Sequence, residues 1–120
     1  MTSQTFSSIA EVQAYLRRYA KARDWEKFHA PKNLSMALAV EAAELMEIFQ
    51  WLPEAGVELE QEQRENIRSE MADVFMYLLR MADVLDVDLL EAVQDKAELN
   101  EARYPADRVK GSSKKYTHYT

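Results

Sequence analysis

Two sets of mainly apolar residues, each spaced at alternating steps of four and three, constrain the fold of this chain more than any other feature. The first seam consists of Leu34, Leu38, Glu41, Leu45, Ile48 and Leu52. The second consists of Ile67, Met71, Val74, Leu78, Met81 and Leu85. Heptad spacing places each set on one face of an α-helix. The sequence therefore predicts two amphipathic helices that pack antiparallel and are joined by a short connection.

Turn-forming residues are scarce, and they divide the chain into four helical segments. Only two glycines and three prolines occur among 120 residues, which favours long helices over a β fold. Ser8 and Asp88 each precede a glutamate by three residues, a pattern typical of helix starts. We therefore predict helices over residues 8–23, 33–52, 59–85 and 89–103, with a break around Pro53 and Gly56. This arrangement is an all-α, four-helix bundle protomer.

The chain length predicts a single domain over residues 1–120, with a core at about residues 8–104. From Tyr104 onward, four basic side chains stand against one acidic side chain. We expect residues 105–120 to form a basic, flexible tail. A core this small gains from burying more surface in a homo-oligomer.

Charge and composition exclude several classes of partner and location. The net charge is −6, which argues against a protein that binds duplex nucleic acid. No segment is apolar enough to suggest a membrane span, and the first six residues do not resemble a signal peptide. The chain has no cysteine, which is compatible with a reducing compartment. We expect a cytoplasmic protein.

Five carboxylates stand where two packed helices would meet. Glu41 interrupts the apolar seam of the second helix, and Glu44 and Glu47 follow at one-turn intervals. Glu70 and Asp73 have the same spacing on the third helix. A carboxylate inside a seam loses hydration, so it must be protonated, paired or bound to a cation. Antiparallel packing would bring the two acidic sets to one point.

An oxygen-only ligand set selects a hard divalent cation. We expect Mg²⁺, for which Mn²⁺ can substitute, bound by Glu41, Glu44, Glu70 and Asp73. The alternative for any single glutamate is a solvated helix face. A di-iron bundle needs a Glu-x-x-His motif on two helices, and only Glu26 with His29 has that spacing.

The carboxylate pattern and its flanks resemble the MazG-like, all-α nucleotide pyrophosphohydrolases, most closely the dCTP pyrophosphatase branch. The motif residues are Glu41, Glu44 and Glu47 followed by Glu70 and Asp73; the flanks are the run Arg23 to Leu34, Phe49-Gln50-Trp51, Lys96, Asn100, Arg103-Tyr104-Pro105 and Ser112 to Thr117. The resemblance implies Mg²⁺-dependent hydrolysis of a deoxynucleoside triphosphate, such as dCTP or a modified dCTP, to the monophosphate and pyrophosphate. It also implies a homotetramer, or a dimer of this chain.

Each candidate residue has an expected role in such a reaction. Glu44, or else Glu47, would orient or deprotonate the attacking water. The residues expected to bind substrate are Trp25, His29, Lys32, Trp51, Tyr77, Lys96, Asn100 and Arg103. Lys32, Lys96, Asn100 and Arg103 would serve the phosphates, and the aromatic residues and His29 would hold the base and sugar.

Two other functions remain open on the sequence alone. The same fold could act on dUTP or on several deoxynucleotides, because backbone groups can read base edges. A non-catalytic helical adaptor could use the seams to bind a partner, although it would leave Glu41 unexplained.

Overall fold

The computed structural model describes residues 4–54 and 58–118, and all regular structure within them is helical. The helices are α1 (Ile9–Ala22), α2 (Pro31–Phe49), α3 (Gln61–Val84), α4 (Leu89–Arg103) and α5 (Ala106–Val109), with 3-10 turns at Glu26–Phe28 and Tyr116–His118. The all-α prediction is confirmed. Two compact units are present, the first ending at Asp86 and the second beginning at Val87. The first contains α1, α2 and α3, so a complete four-helix bundle stays a prediction.

The start of α1 is capped as the sequence predicted, with one difference. The amide of Glu11 donates to Ser8 Oγ at 3.1 Å, which satisfies one of the free amides of the first turn. The carboxylate of Glu11 accepts from the Ser7 hydroxyl at 2.7 Å. The reciprocal bond expected of a capping box is therefore directed to Ser7 instead of the backbone of Ser8.

The end of α1 is closed by two backbone hydrogen bonds that form a Schellman motif. The amide of Trp25 donates to the Ala20 carbonyl at 2.9 Å, and the amide of Asp24 donates to the Lys21 carbonyl at 3.1 Å. This turn requires a left-handed residue, and Asp24 has φ 56°, a conformation that aspartate tolerates better than most residues. The turn brings the Trp25 ring to 5.8 Å from that of Tyr19.

The bounds of α2 and α3 differ from the prediction by a few residues. Helix α2 begins two residues early, at Pro31, because the fixed φ and missing N–H of proline suit the first helical position. Helix α3 begins at Gln61 behind a capping box formed by Glu60 and Gln63. Gly56, which was predicted to help separate the two helices, lies outside the described residues.

Hydrogen bonds fix the relative direction of the three helices in the first unit. Gln13 Nε2 donates to the Leu79 carbonyl at 3.0 Å, and Arg17 Nε donates to Asp83 Oδ2 at 2.7 Å. Both partners advance by four residues, so α1 and α3 run parallel. The buried apolar side chains are Leu16, Ala20, Leu34, Leu79 and Ala82.

Helices α2 and α3 run antiparallel, as the sequence predicted. His29, just before α2, is bonded to Arg80 at 3.0 Å. Further along α2, Glu44 lies near Glu70. Contacts nearer the carboxyl end of α2 are therefore made by residues nearer the amino end of α3.

The less exposed side chains of α3 follow a different seam from the predicted one. The half-buried residues include Gln63, Ile67, Glu70, Val74, Tyr77 and Met81, again at steps of four and three, together with Asp73 and Asp83. Met71, Leu78 and Leu85 of the predicted seam are 57%, 38% and 47% exposed, so that half of the prediction was wrong. Apolar residues occupy more than one face of α3, and this obscured the true seam. As a result Glu70 is a member of the seam and does not flank it.

The second unit consists of α4 and the segment after it. The side chain of Asp88 caps α4 by accepting from the Glu91 amide at 3.1 Å. The tail after α4 has more structure than the sequence predicted. The amide of Tyr116 donates to the Tyr104 hydroxyl at 3.1 Å, and the two rings meet edge to face at 6.3 Å.

No helix in the described ranges has the length and hydropathy that a membrane span needs.

Candidate metal centre and adjoining cavity

Three carboxylates from α2 and α3 converge on one point in the first unit. Glu41, Glu44 and Glu70 each offer one oxygen, and these oxygens lie within 4.8 Å of one another. Glu41 and Glu70 stand in facing seams, while Glu44 is one turn further along α2 and is exposed. The cluster is therefore closed on its inner side and open to water at Glu44.

The inner oxygens of this cluster lack partners within the described part of the chain. Oε2 of Glu41 and Oε2 of Glu70 are both buried, and neither accepts a hydrogen bond from a described group. Burial of an unsatisfied carboxylate oxygen is costly. The two oxygens therefore require a proton or a cation.

The protonation behaviour of the cluster reflects this crowding. The pKa of Glu41 rises from 4.5 to about 7. The first cause is burial, which disfavours the charged form, and hydrogen bonds of the protonated carboxyl to Glu70 and Glu44 add to the rise. Burial also raises the pKa of Glu70, and the charges of Glu44 and Asp73 reinforce that effect. Without a bound cation the cluster is thus electrostatically strained near neutral pH.

The donor set fits the divalent cation that the sequence predicted. Three carboxylates offer only hard oxygen ligands, which suit Mg²⁺ or Mn²⁺ better than zinc. Asp73 is not among the oxygens within 4.8 Å of one another, although its charge raises the pKa of Glu41. Glu47 is exposed and lies outside the group. The residues that fit a bound ion are Glu41, Glu44 and Glu70, with Asp73 beside them.

A cavity of about 230 Å³ adjoins this centre in the first unit. Its walls are Leu16, Tyr19, Trp25, His29, Asp73, Met76, Tyr77 and Arg80. The volume is below the roughly 300–1,000 Å³ of pockets for drug-sized ligands. It suits a fragment of the size of one base. Asp73 lines the cavity and acts electrostatically on the carboxylate cluster, so it joins the two features.

An aromatic row fixes the wall formed by Trp25. The ring of Tyr19 lies between those of Tyr15 and Trp25, at 5.9 Å and 5.8 Å. The guanidinium of Arg23 covers Tyr19 at 3.6 Å. Such contacts hold large side chains in one orientation, so the indole presents a rigid apolar surface to the cavity.

His29 occupies the polar side of the cavity. Its Nδ1 accepts a hydrogen bond from Arg80 Nε at 3.0 Å. Burial lowers the pKa of His29, and the positive charge of Arg80 lowers it further. The imidazole is therefore neutral near pH 7.

The structure brings some predicted site residues together and leaves others apart. Trp25, His29, Tyr77 and Asp73 share the cavity. Trp51 is 87% exposed and lies outside the cavity lining.

The basic and amide residues predicted to bind phosphate are not among the residues that line the cavity. Lys32 is exposed on the first turn of α2. Lys96 and Asn100 are exposed on α4 in the second unit. Arg103 has its guanidinium 4.2 Å above the ring of Tyr116.

Sequence reasoning missed several residues of the cavity wall, and Arg80 is the most informative of them. A charged residue within the run Leu78-Leu79-Arg80-Met81 was a usable signal. It follows Tyr77 by three residues and Asp73 by seven, a spacing that places all three on one helix face. Leu16, Tyr19 and Met76 carried no comparable signal, because nothing distinguishes them from ordinary core residues.

Comparisons with known proteins agree with this architecture. The chain matches the MazG-like family over residues 36–118. It is 39% identical over 113 residues to human dCTP pyrophosphatase 1, covering 92% of this chain and 66% of that protein. It is 39% identical over 119 residues to the Bos taurus dCTP pyrophosphatase 1, covering 94% of this chain and 70% of that protein. The chain thus spans about two thirds of the length of these relatives.

A solved structure shares the fold. The crystal structure of a pyrophosphatase from Archaeoglobus fulgidus DSM 4304 is 36% identical, with a TM-score of 0.69, and the match covers 88% of this chain and 99% of that one. The family match includes all of α3 and most of α2, which together carry the carboxylate cluster. On this evidence the chain belongs to the MazG-like family.

Proposed function

We propose that this protein is a nucleoside triphosphate pyrophosphohydrolase that depends on Mg²⁺ and acts on dCTP or a modified dCTP. The observation that carries the proposal is the convergence of Glu41, Glu44 and Glu70 within 4.8 Å, with two buried unpartnered oxygens. A base-sized cavity adjoins it through Asp73. The names of the relatives, dCTP pyrophosphatase 1, support the choice of substrate.

The carboxylates have distinct roles in this proposal. Glu41, Glu70, Glu44 and Asp73 would hold the ion, which when bound neutralises phosphate charge and polarises the reacting phosphorus. Glu44 is exposed, so water reaches it, and we assign it the task of orienting or deprotonating the nucleophile. Glu47, one turn further along α2 and exposed, is the second candidate for that task.

The cavity would hold the base and sugar. Trp25 offers an apolar surface, and Tyr77, one turn after Asp73, is suited to contact the sugar and disfavour a 2′-hydroxyl. His29 supplies a polar group for the base edge. Trp51 is a second candidate for stacking, because its exposed ring is free to contact a ligand.

The phosphates would be bound by basic and amide groups. Lys32 lies at the amino end of α2, where free amides also favour anions. On α4, Lys96, Asn100 and Arg103 have spacings of four and three residues and share one helix face. Arg103 lies above the ring of Tyr116. It would bind phosphate either from this position or after its side chain moves off the ring.

Self-association is part of the proposal. An apolar face of α3 that includes Met71, Phe75 and Leu78 is exposed in the single chain. Such a face suits contact with a second copy, and we propose a homotetramer or a dimer. We propose no duplex nucleic acid partner, and a cytoplasmic location stays a prediction from the sequence.

The first test is release of phosphate from a panel of deoxynucleoside triphosphates, with inorganic pyrophosphatase added, with and without Mg²⁺. We expect Mg²⁺-dependent release that is highest with dCTP. Glu41→Gln should abolish it, whereas Glu98→Gln, an exposed matched change on α4, should not. Rates with dUTP, or with every nucleotide of the panel, that are comparable to the rate with dCTP would favour a broader pyrophosphohydrolase. No release from any nucleotide would favour a helical adaptor, which the exposed apolar faces also suit.

A further inference from the structure

Arg80 is a buried charged residue that lines the cavity and donates hydrogen bonds to His29 and Asp83. It is 9% exposed, the one buried polar or charged residue among those described. Its Nε donates to His29 Nδ1 at 3.0 Å. Its Nη1 donates to Asp83 Oδ2 at 3.3 Å, and the same oxygen accepts from Arg17 Nε at 2.7 Å. A guanidinium placed this way is held on two sides.

The bond between Arg80 and His29 determines where the imidazole carries its proton. A guanidinium has only donors and stays protonated in proteins. His29 Nδ1 must therefore accept, so the proton of the neutral ring is on Nε2. The doubly protonated ring would direct an N–H at another N–H. The lowered pKa of His29 agrees with a ring that stays neutral.

A ring held this way can only donate to a ligand in the cavity. Cytosine has an acceptor at ring position 3, whereas uracil has an N–H there. A fixed donor at this edge favours cytosine, and it leaves uracil with two opposed donors. Unmatched donors of this kind discriminate strongly in buried sites.

We propose that Arg80 is a positioning residue that fixes His29 as an N–H donor, and that this donor selects cytosine over uracil by facing ring position 3. The selection step rests on the proposed function, because it takes the cavity to be the base site. The fixed tautomer rests only on the contacts of Arg80.

The tautomer is measured directly by long-range ¹H–¹⁵N correlation of the histidine side chains. The chain has two histidines, and His118→Gln assigns the spectrum. We expect His29 to be neutral and protonated at Nε2 at pH 7.5. In Arg80→Met we expect Nδ1-protonated ring to appear, in Arg80→Lys a smaller change, and in Arg18→Met, an exposed arginine on α1, none. A wild-type His29 that is charged or protonated at Nδ1 overturns the proposal.

Selection is measured as the Kd ratio of dUMP to dCMP, by titration of the labelled protein with each nucleotide. Arg80→Met should reduce this ratio by about three- to tenfold, the worth of one neutral hydrogen bond. In a His29→Ala background, Arg80→Met should cause no further change, which separates positioning from a general loss of packing. An unchanged ratio in Arg80→Met, or an equal reduction in the His29→Ala background, overturns the proposal.

These measurements do not depend on turnover. If the protein binds dCMP as described but hydrolyses no triphosphate, the proposed activity fails and the role of Arg80 stands. If it hydrolyses dCTP but the Kd ratio of dUMP to dCMP is the same in Arg80→Met as in the parent, the activity stands and the role of Arg80 fails.

Discussion

Replacing Glu41 by glutamine should stabilise the metal-free protein at alkaline pH. Glu41 stands in the α2 seam with a buried, unpartnered oxygen, and its pKa is raised from 4.5 to about 7. A carboxyl with a raised pKa favours folding most when it is protonated. This contribution is complete below about pH 4.5 and is lost as the pH rises through about 7. Glutamine keeps the shape of the side chain and carries no charge at any pH.

The size of the effect follows from the same pKa. A rise from 4.5 to about 7 corresponds to about 3 kcal/mol, since each pKa unit is worth somewhat more than about 1 kcal/mol. The cluster is open to water at Glu44, and solvent screening reduces the net cost to about 1–2 kcal/mol. For a chain of 120 residues, that change corresponds to a rise in Tm of about 4–8 °C.

The assay is thermal unfolding of both proteins in buffer with EDTA, from pH 5 to pH 9. The difference in Tm should be smallest at pH 5, grow as the pH rises to about 7, and level off above that pH. Glu98→Gln, the matched change on α4, should show no such pH dependence. Added Mg²⁺ should stabilise the parent more than Glu41→Gln. A Glu41→Gln protein that is clearly less stable than the parent at pH 8 without metal would point to a structural ion pair and refute this reasoning.

Three further outcomes follow from the fold and the proposal. Light scattering at micromolar concentration should give a multiple of the 13.9 kDa chain mass, and an active monomer would contradict the proposed self-association. Leu34→Ala, at a side chain only 2% exposed, should lower the free energy of unfolding by about 2–5 kcal/mol in denaturant titrations; a loss below about 1 kcal/mol would mean that α2 is not anchored there. Arg103→Ala should reduce kcat/KM more for dCTP than for dCDP, and equal reductions would remove Arg103 from pyrophosphate binding.

Helix positions were largely accessible from the sequence because local chemistry sets them. Ser8 and Asp88 cap α1 and α4 through their own side chains, and this signal lies within three residues of the helix start. The predicted start of α2, at residue 33, is two residues late because Pro31 occupies the first helical position, to which proline is well suited.

The acidic cluster was predictable because Glu41 conflicts with the apolar pattern around it. The cavity was less so, because it depends on which face of α3 turns toward its neighbours. Met71 and Leu78 are as apolar as true seam residues, and only packing shows that they are exposed. Arg80 depends on a contact between residues 51 positions apart, which periodicity within one helix does not reveal. The fold of the tail onto Tyr104 likewise depends on a contact that composition does not encode.

Attack on the α phosphorus, with pyrophosphate as the leaving group, is the central chemical claim, and isotope labelling tests it most directly. In the proposed function the carboxylate cluster would hold the ion, which would supply charge neutralisation at the phosphates, and Lys96 and Arg103 would bind the terminal pyrophosphate as one unit. Hydrolysis of dCTP with Mg²⁺ in ¹⁸O-water should place the label in dCMP, leave pyrophosphate unlabelled and form no dCDP. Mass spectrometry of the products from a single turnover distinguishes these species. Labelled pyrophosphate would place the attack on the β phosphorus, and dCDP with free phosphate as the primary products would show that the γ bond is cut; either result would contradict the account.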